Sequence, residues 1–475
     1  MHIKLFSSKS FYLYLPAVLI CSYFAGQIVF CNSDPDVFWH LKNGERLIHE
    51  GIFPVQDVFS FTGHGKFLVA YEWLSEAVFY MLFASIGYGG LFGLTLMLFG
   101  GTIYVAYTHM RTIGLDSKLS IFLSLLVLVG FLRHMSIRTQ NFSFLFFIIF
   151  VYLIKGRYYA KLWMKLLVLI LLMIWAQLHG GFILGLILIF VEALNESVIK
   201  RELSLKILLF PLLACFAVGI HPSGYYSLVY PLWMFFQRPP VCSFIDEWKP
   251  IDFSKACNYP YICIISIIVY FGLKKISHNI MWTAFWFVLL FFSMGNLKMM
   301  PYTITLGVIL LAYRLKEEKK YSIPLVYVII LNVVLCAFSA NQSLLLIKDH
   351  HQFQKPFIER SFPHEEADFI KKYLPSKFIF NSYGWGGYLI YKLYPSNLIF
   401  IDGRADLYWQ ILANEYVQIL ESRADNLSLL DEFKIDVVVL PKHYWLNREL
   451  YIAPGWVLAF EGSMAYVFAR KTPVK

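Results

Sequence analysis

Charge is scarce in this chain: only 15% of its 475 residues are Asp, Glu, Lys or Arg, against 58% hydrophobic and 18% aromatic. That leaves too little polar surface to wrap an apolar interior in water, which argues against an ordinary soluble domain. Cysteine is sparse and unpatterned as well, with seven residues placed mostly inside apolar segments. No C-x-x-C, H-E-x-x-H or Walker sequence occurs, so zinc-ribbon, zincin and P-loop chemistry have no footing here. Cys242 and Cys257 share one loop and read either as a disulfide or as two idle thiols. There is no internal repeat and no low-complexity tail.

What is abundant is the apolar run. Runs recur near 11–31, 89–108, 119–135, 142–154, 164–178, 182–195, 207–220, 260–273, 281–294, 302–313 and 322–338, about eleven in all by the hydropathy criterion. Basic clusters alternate with them, among them Lys155 to Lys165, Lys200 to Lys206 and Arg314 to Lys320. By the positive-inside rule these clusters are cytoplasmic, so the net charge of +10 is a topology signal and not a nucleic-acid one. The first run lacks a cleavage pattern and reads as an anchor. The expectation is a polytopic α-helical membrane protein of the bacterial inner membrane, with a cytoplasmic N-terminus.

Glu72 to Gly87 is apolar but short and carries Glu72 and Glu76, so it reads as an amphipathic helix on the outer surface. Residues 32–88 then form one long outer loop within a membrane domain spanning 1–339. Beyond residue 340 apolar runs shorten to strand length. Helix-like segments at 365–373 and 385–393 alternate with strand-like ones at 377–380, 398–401 and 436–440. This predicts an extracytoplasmic α/β domain over 340–475.

Candidate chemistry begins with Asp34-Pro35-Asp36-Val37-Phe38-Trp39-His40, directly after the first run. Asp34, Asp36 and, past a Gly/Pro-punctuated turn, Asp57 are carboxylates able to deprotonate an acceptor or hold a divalent cation. Arg133 and Arg138 lie in an outer loop, against the orientation bias, and fit an anionic phosphate. Lys298, His179 and His221 stand at other outer helix ends. Glu247 lies in the loop before the run at 260. In the C-terminal part, Tyr383-Gly384-Trp385-Gly386-Gly387 follows a strand and opens a helix, with Asp402-Gly403-Arg404 after the next strand. A dinucleotide fingerprint is rejected there, since the third glycine is missing and Trp385 blocks close approach. Tyr383, Trp385, Asp402 and Arg404, together with Glu247, read instead as an acceptor-side surface.

Asp34-Pro35-Asp36-Val37-Phe38-Trp39-His40-Leu41, with Gly44, Gly51, Pro54 and Asp57 behind it, resembles the first outer loop of the GT-C superfamily of membrane glycosyltransferases. The oligosaccharyltransferase catalytic subunit is one of its members. The resemblance implies transfer of a sugar from a polyprenyl-phosphate carrier, with inversion, to a lipid, glycan or protein hydroxyl. It implies Asp36 as catalytic base, with Asp34 competing and Asp57 in support. Arg133, Arg138, Lys298, His179 and His221 would hold the donor phosphate. Two departures stand out: a basic Arg133-to-Arg138 segment replaces the second acidic motif, and no Trp-Trp-Asp motif occurs. Both argue against asparagine-linked transfer. A divalent cation is compatible with the carboxylates, but its ligand set is incomplete in the sequence. A lipid-linked glycan polymerase or ligase, and a non-catalytic transport or assembly protein, are the alternatives.

Overall fold

A computed structural model describes residues 34–131, 134, 136–156, 159–202, 204–237, 248–255, 258–272, 280–318, 361–421 and 426–471. These fall into two compact units. One draws on Gly87–Leu232 and Ile245–Lys348; the other joins Ser33–Ile86 to Asp349–Lys475. Residues 33–86, expected to belong with the membrane domain, therefore pack with the C-terminal segment.

The first unit is helical. Its helices include Tyr88–Ile113, Ser117–Phe131, Gln140–Ile154, Leu162–Leu178, Phe182–Lys200, Leu205–Val218, Tyr259–Gly272, Ile280–Gly295 and Met300–Glu318. Small residues set the close crossings. A Cβ at Gly130 would lie 3.2 Å from Ile304, and one at Gly307 would lie 2.5 Å from Trp286 Nε1. That indole instead donates to Thr303 O at 2.9 Å.

The span count needs correction. Among the described residues only Tyr88–Ile113 and Phe182–Lys200 are long and apolar enough to cross a membrane. The chain is a largely helical one with a small mixed sheet, not a polytopic protein of about eleven spans. Length is the physical reason. Helices of 14 to 17 residues rise only about 21–26 Å, short of a hydrocarbon core of about 30 Å. Met300–Glu318 is longer but ends in Arg314, Lys316, Glu317 and Glu318. A hydropathy window sees apolar density and overlooks the turns that divide it. The runs at 11–31 and 322–338 lie outside the described residues. Face assignments made by alternating loops over eleven spans lose their basis with that count.

The second unit holds the sheet. Its strands are β1 (Phe378–Asn381), β2 (Leu398–Ile399), β3 (Val437–Pro441), β4 (Trp456–Glu461) and β5 (Ala465–Arg470), in the order β2-β1-β3-β5-β4. β1 runs parallel to β2 and β3, while β5 is antiparallel to both β3 and β4. The Val437-Val438-Val439-Leu440 run is buried on both faces, as an inner strand requires. β4 and β5 have no counterpart in the segments read from sequence; the other three strands coincide with them to within a few residues.

Two helices from the first hundred residues complete this unit: α1 (Asp36–Glu50) and α2 (Trp73–Ile86). Pro35 precedes the first turn of α1, where its missing N–H is no loss. Gly51 closes the helix in the left-handed region at φ 69°, its N–H bonded to Leu47 O. Between the helices, residues 59–61 run beside β2, with Ile399 N–H donating to Phe59 O and Phe61 N–H to Ile399 O. Two later helices follow, α3 (His364–Tyr373) and α4 (Gly386–Leu393). Phe38 of α1, Phe362 and Tyr388 of α4 pack ring against ring at 4.8–5.0 Å, fixing α1 on the sheet layer.

Candidate functional site

Three glycines bring the Asp34-Pro35-Asp36 start of α1 against the Asp402-Gly403-Arg404 turn. A Cβ at Gly387 would meet Pro35 O at 2.5 Å, and one at Gly386 would meet Ile401 O at 2.2 Å. At Gly403 it would fall 1.7 Å from Asp36 Oδ1. The glycines that imitate a nucleotide motif thus serve close backbone approach.

The carboxylates gathered there differ sharply in surroundings. Asp34 is buried, and its Oδ1 accepts the Asp36 N–H at 3.0 Å, meeting one of the orphan donors of the first turn. Asp57 has no exposed surface. Its oxygens accept from Ser60 Oγ at 2.5 Å, the Phe59 N–H at 3.2 Å and Arg404 Nη2 at 2.8 Å. Asp402 receives the same guanidinium through two bonds, Nε at 2.8 Å and Nη2 at 2.6 Å, and the Tyr408 hydroxyl at 2.8 Å. Burial opposes the Arg404 charge, but Asp402, Tyr408 and Asp57 together hold its pKa well above the ordinary value. Asp36 alone of these acids is partly exposed.

Tyr383, half-buried, points its hydroxyl at Gly403 O at 3.4 Å. Burial first, then the charges of Asp36, Asp402 and Asp406, push this phenol above its usual range, so it keeps its proton at neutral pH and is a donor. Trp385, two residues on, is buried.

One helical turn beyond Asp36 lies a group that sequence reading did not assemble. His40 Nδ1 is 3.0 Å from Glu76 Oε1, and its Nε2 is 3.7 Å from Glu72 Oε2. Asn43 Nδ2 also donates to Glu76 Oε1, at 3.0 Å. Burial drives both titrations toward neutrality. It lowers His40, against the pull of Glu72 and Asp36, and it raises Glu76 to about 8, against the Asn43 hydrogen bond. These three side chains could hold a metal ion, since one donor atom of each lies within 4.8 Å of the others. The signal available in the sequence was the i,i+4 pair Glu72 and Glu76 in an apolar helix, where carboxylates need partners.

The remaining candidates lie in the helical unit. His179 Nδ1 sits 2.7 Å from Ser143 Oγ and accepts the Gly181 N–H at 2.9 Å, closing the turn between two helices. His221 Nδ1 likewise accepts the Ser223 N–H at 3.0 Å. Lys298 Nζ lies 5.7 Å from the Trp248 ring centre, within cation–π range. Arg138 precedes the helix Gln140–Ile154, its carbonyl accepting the Asn141 N–H. Arg133, Glu247, Cys242 and Cys257 lie outside the described residues.

No protein-family model matches the chain, and no curated protein matches it.

Proposed function

We propose that this protein is a membrane-associated glycosyltransferase that moves a sugar from a polyprenyl-phosphate carrier to a hydroxyl acceptor, with Asp36 as general base. The observation that carries the reading is the contrast among the acids. Asp34, Asp57 and Asp402 are buried, whereas Asp36, close to the phenol of Tyr383, is partly exposed. That partial exposure supports Asp36 as the carboxylate a substrate hydroxyl reaches.

In the proposed step the acceptor oxygen attacks the anomeric carbon as the bond from that carbon to the phosphate oxygen breaks. Asp36 takes the acceptor proton, and the carrier leaves as its phosphate. Tyr383, protonated, orients the acceptor by hydrogen bonding. A divalent cation belongs to the proposal as cofactor, and the chemistry it supplies is neutralisation of phosphate charge. The membrane association rests on the two long apolar helices and the composition.

Lipid and glycan profiles of a deletion strain and an Asp36→Asn strain test the reading. Both should accumulate one lipid-linked sugar and lack one glycan, because loss of a general base costs about 10²–10⁴-fold in rate. An Asp36→Asn strain with a wild-type profile would sink it, as would a deletion that changes neither pool.

A further inference from the structure

We infer that His40, Glu72 and Glu76 form a binding site for one first-row divalent cation of the zinc class. The inference does not depend on the sugar-transfer reading, because it stands on the donor set alone.

The donors are correct in kind and in supply. The Glu72 backbone carbonyl accepts the Glu76 N–H at 2.9 Å, so Glu72, just ahead of α2, stands one turn from Glu76. His40 of α1 meets them through different ring nitrogens, Nδ1 3.0 Å from Glu76 Oε1 and Nε2 3.7 Å from Glu72 Oε2. One ring nitrogen of His40 can ligate a given ion, and the donor atoms taken one per residue lie within 4.8 Å of one another; tetrahedral zinc with bonds of about 2.0–2.1 Å sets its donors about 3.3 Å apart, so the group draws in on binding. Gly44 lies where α1 crosses α2, with room for no Cβ against Glu76 O.

A second observation points to a missing ligand. Glu76 is 2% exposed, and its Oε2 has no hydrogen-bond partner among the described residues, although Oε1 is engaged by both His40 and Asn43. A buried carboxylate oxygen left unmet is costly; a cation bound there would satisfy it. Asn43 would then orient the carboxylate, the kind of support that metal-ligating acids usually receive.

The donor set also selects the ion. Mg²⁺ and Ca²⁺ are held by oxygen ligands, whereas an imidazole nitrogen beside carboxylates suits zinc and its first-row neighbours. Three protein ligands leave a position for water or substrate. Glu72 supplies the open edge, its side chain 18% exposed against 6% for His40 and 3% for Glu76.

Equilibrium dialysis of the purified full-length chain against Zn²⁺, with no sugar donor present, tests the site, and Co²⁺ serves as a visible-absorption surrogate. The expected result is one Zn²⁺ per chain, undisturbed by a tenfold excess of Mg²⁺. Glu76→Gln and His40→Ala should each weaken zinc affinity by at least about 100-fold, since even outer partners of metal ligands are worth about 10–100-fold. Glu45→Gln, elsewhere on α1, should bind as wild type. Circular dichroism checks folding; should Glu76→Gln unfold, Glu72→Gln at the exposed edge carries the same expectation. Absence of stoichiometric zinc from the wild type overturns the site, as does wild-type affinity in a folded ligand variant. Displacement of zinc by Mg²⁺ overturns the zinc class.

Discussion

Asp36 and Asp34 stand two positions apart, yet the helix start gives them opposite environments. Asp34 turns inward to the first-turn N–H, while Asp36 stays at the edge against Gly403. This makes Gly403 a sharp probe. A methyl group there collides with the far end of a flexible side chain, so Gly403→Ala should cost under about 1 kcal/mol of stability. It must nevertheless push the Asp36 carboxylate aside, and a displacement of about 1 Å can cost 10²-fold in rate. The expected variant folds like wild type in a denaturant titration and shows the same lipid accumulation as Asp36→Asn. Wild-type function in Gly403→Ala would separate Asp36 from any chemistry. The pairing was half legible in the sequence. Asp36 and the Asp402-Gly403-Arg404 turn each stood out by residue type, but they are over 360 positions apart. Nothing in local pattern says that Gly403 is small because Asp36 lies on it.

The α1–α2 crossing shows the same logic for whole elements. Residues 72–87 read from sequence as an amphipathic helix on a surface; they are a helix, and it buries Ser75, Glu76, Ala77 and Phe79. The crossing depends on Gly44, where a Cβ would meet Glu76 O at 2.2 Å. Two effects compete in Gly44→Ala. Helix propensity favours alanine by about 1 kcal/mol, whereas overpacking against backbone costs about 1–3 kcal/mol. Because the obstacle is main chain, packing should win and urea unfolding should report a net loss of about 1–2 kcal/mol. A stabilised Gly44→Ala would mean that the two helices are not in contact. The sequence marked residues 72–87 as a helix but read 36–50 as part of a loop, so no local pattern announced the contact between them. His40, Glu72 and Glu76 went unassembled for that reason.

Across the molecule, the tie between distant segments runs through Arg404. Its guanidinium joins Asp57 of the early segment to Asp402 of the late one, all three buried. Arg404→Met would leave two carboxylates in the interior with no cation, and breaking such a buried group costs about 3–5 kcal/mol. We expect the variant to unfold at much lower denaturant, and replacement of both acids together with Arg404 to recover part of the loss. A mild effect of Arg404→Met alone would mean that water reaches the cluster. At this scale the sequence misled most. Apolar runs were counted as about eleven spans, yet two described helices have the length and composition for one. Composition measures how much apolar surface must be hidden, and helix packing can hide it as well as lipid can.

Taken by itself, the sequence determined the local features. Three of the five strands and the helices near 365–373 and 385–393 of the C-terminal part, the glycine-marked turns and the short list of acids follow from propensity, period and side-chain chemistry. Only the tertiary structure decided which of those acids are locked inside and which one meets the surface. It also decided that residues 33–86 belong with the last hundred, and that a histidine and two glutamates share one buried group. Burial, close approach and charge pairing depend on chain segments hundreds of residues apart, and no local pattern encodes the distance between them.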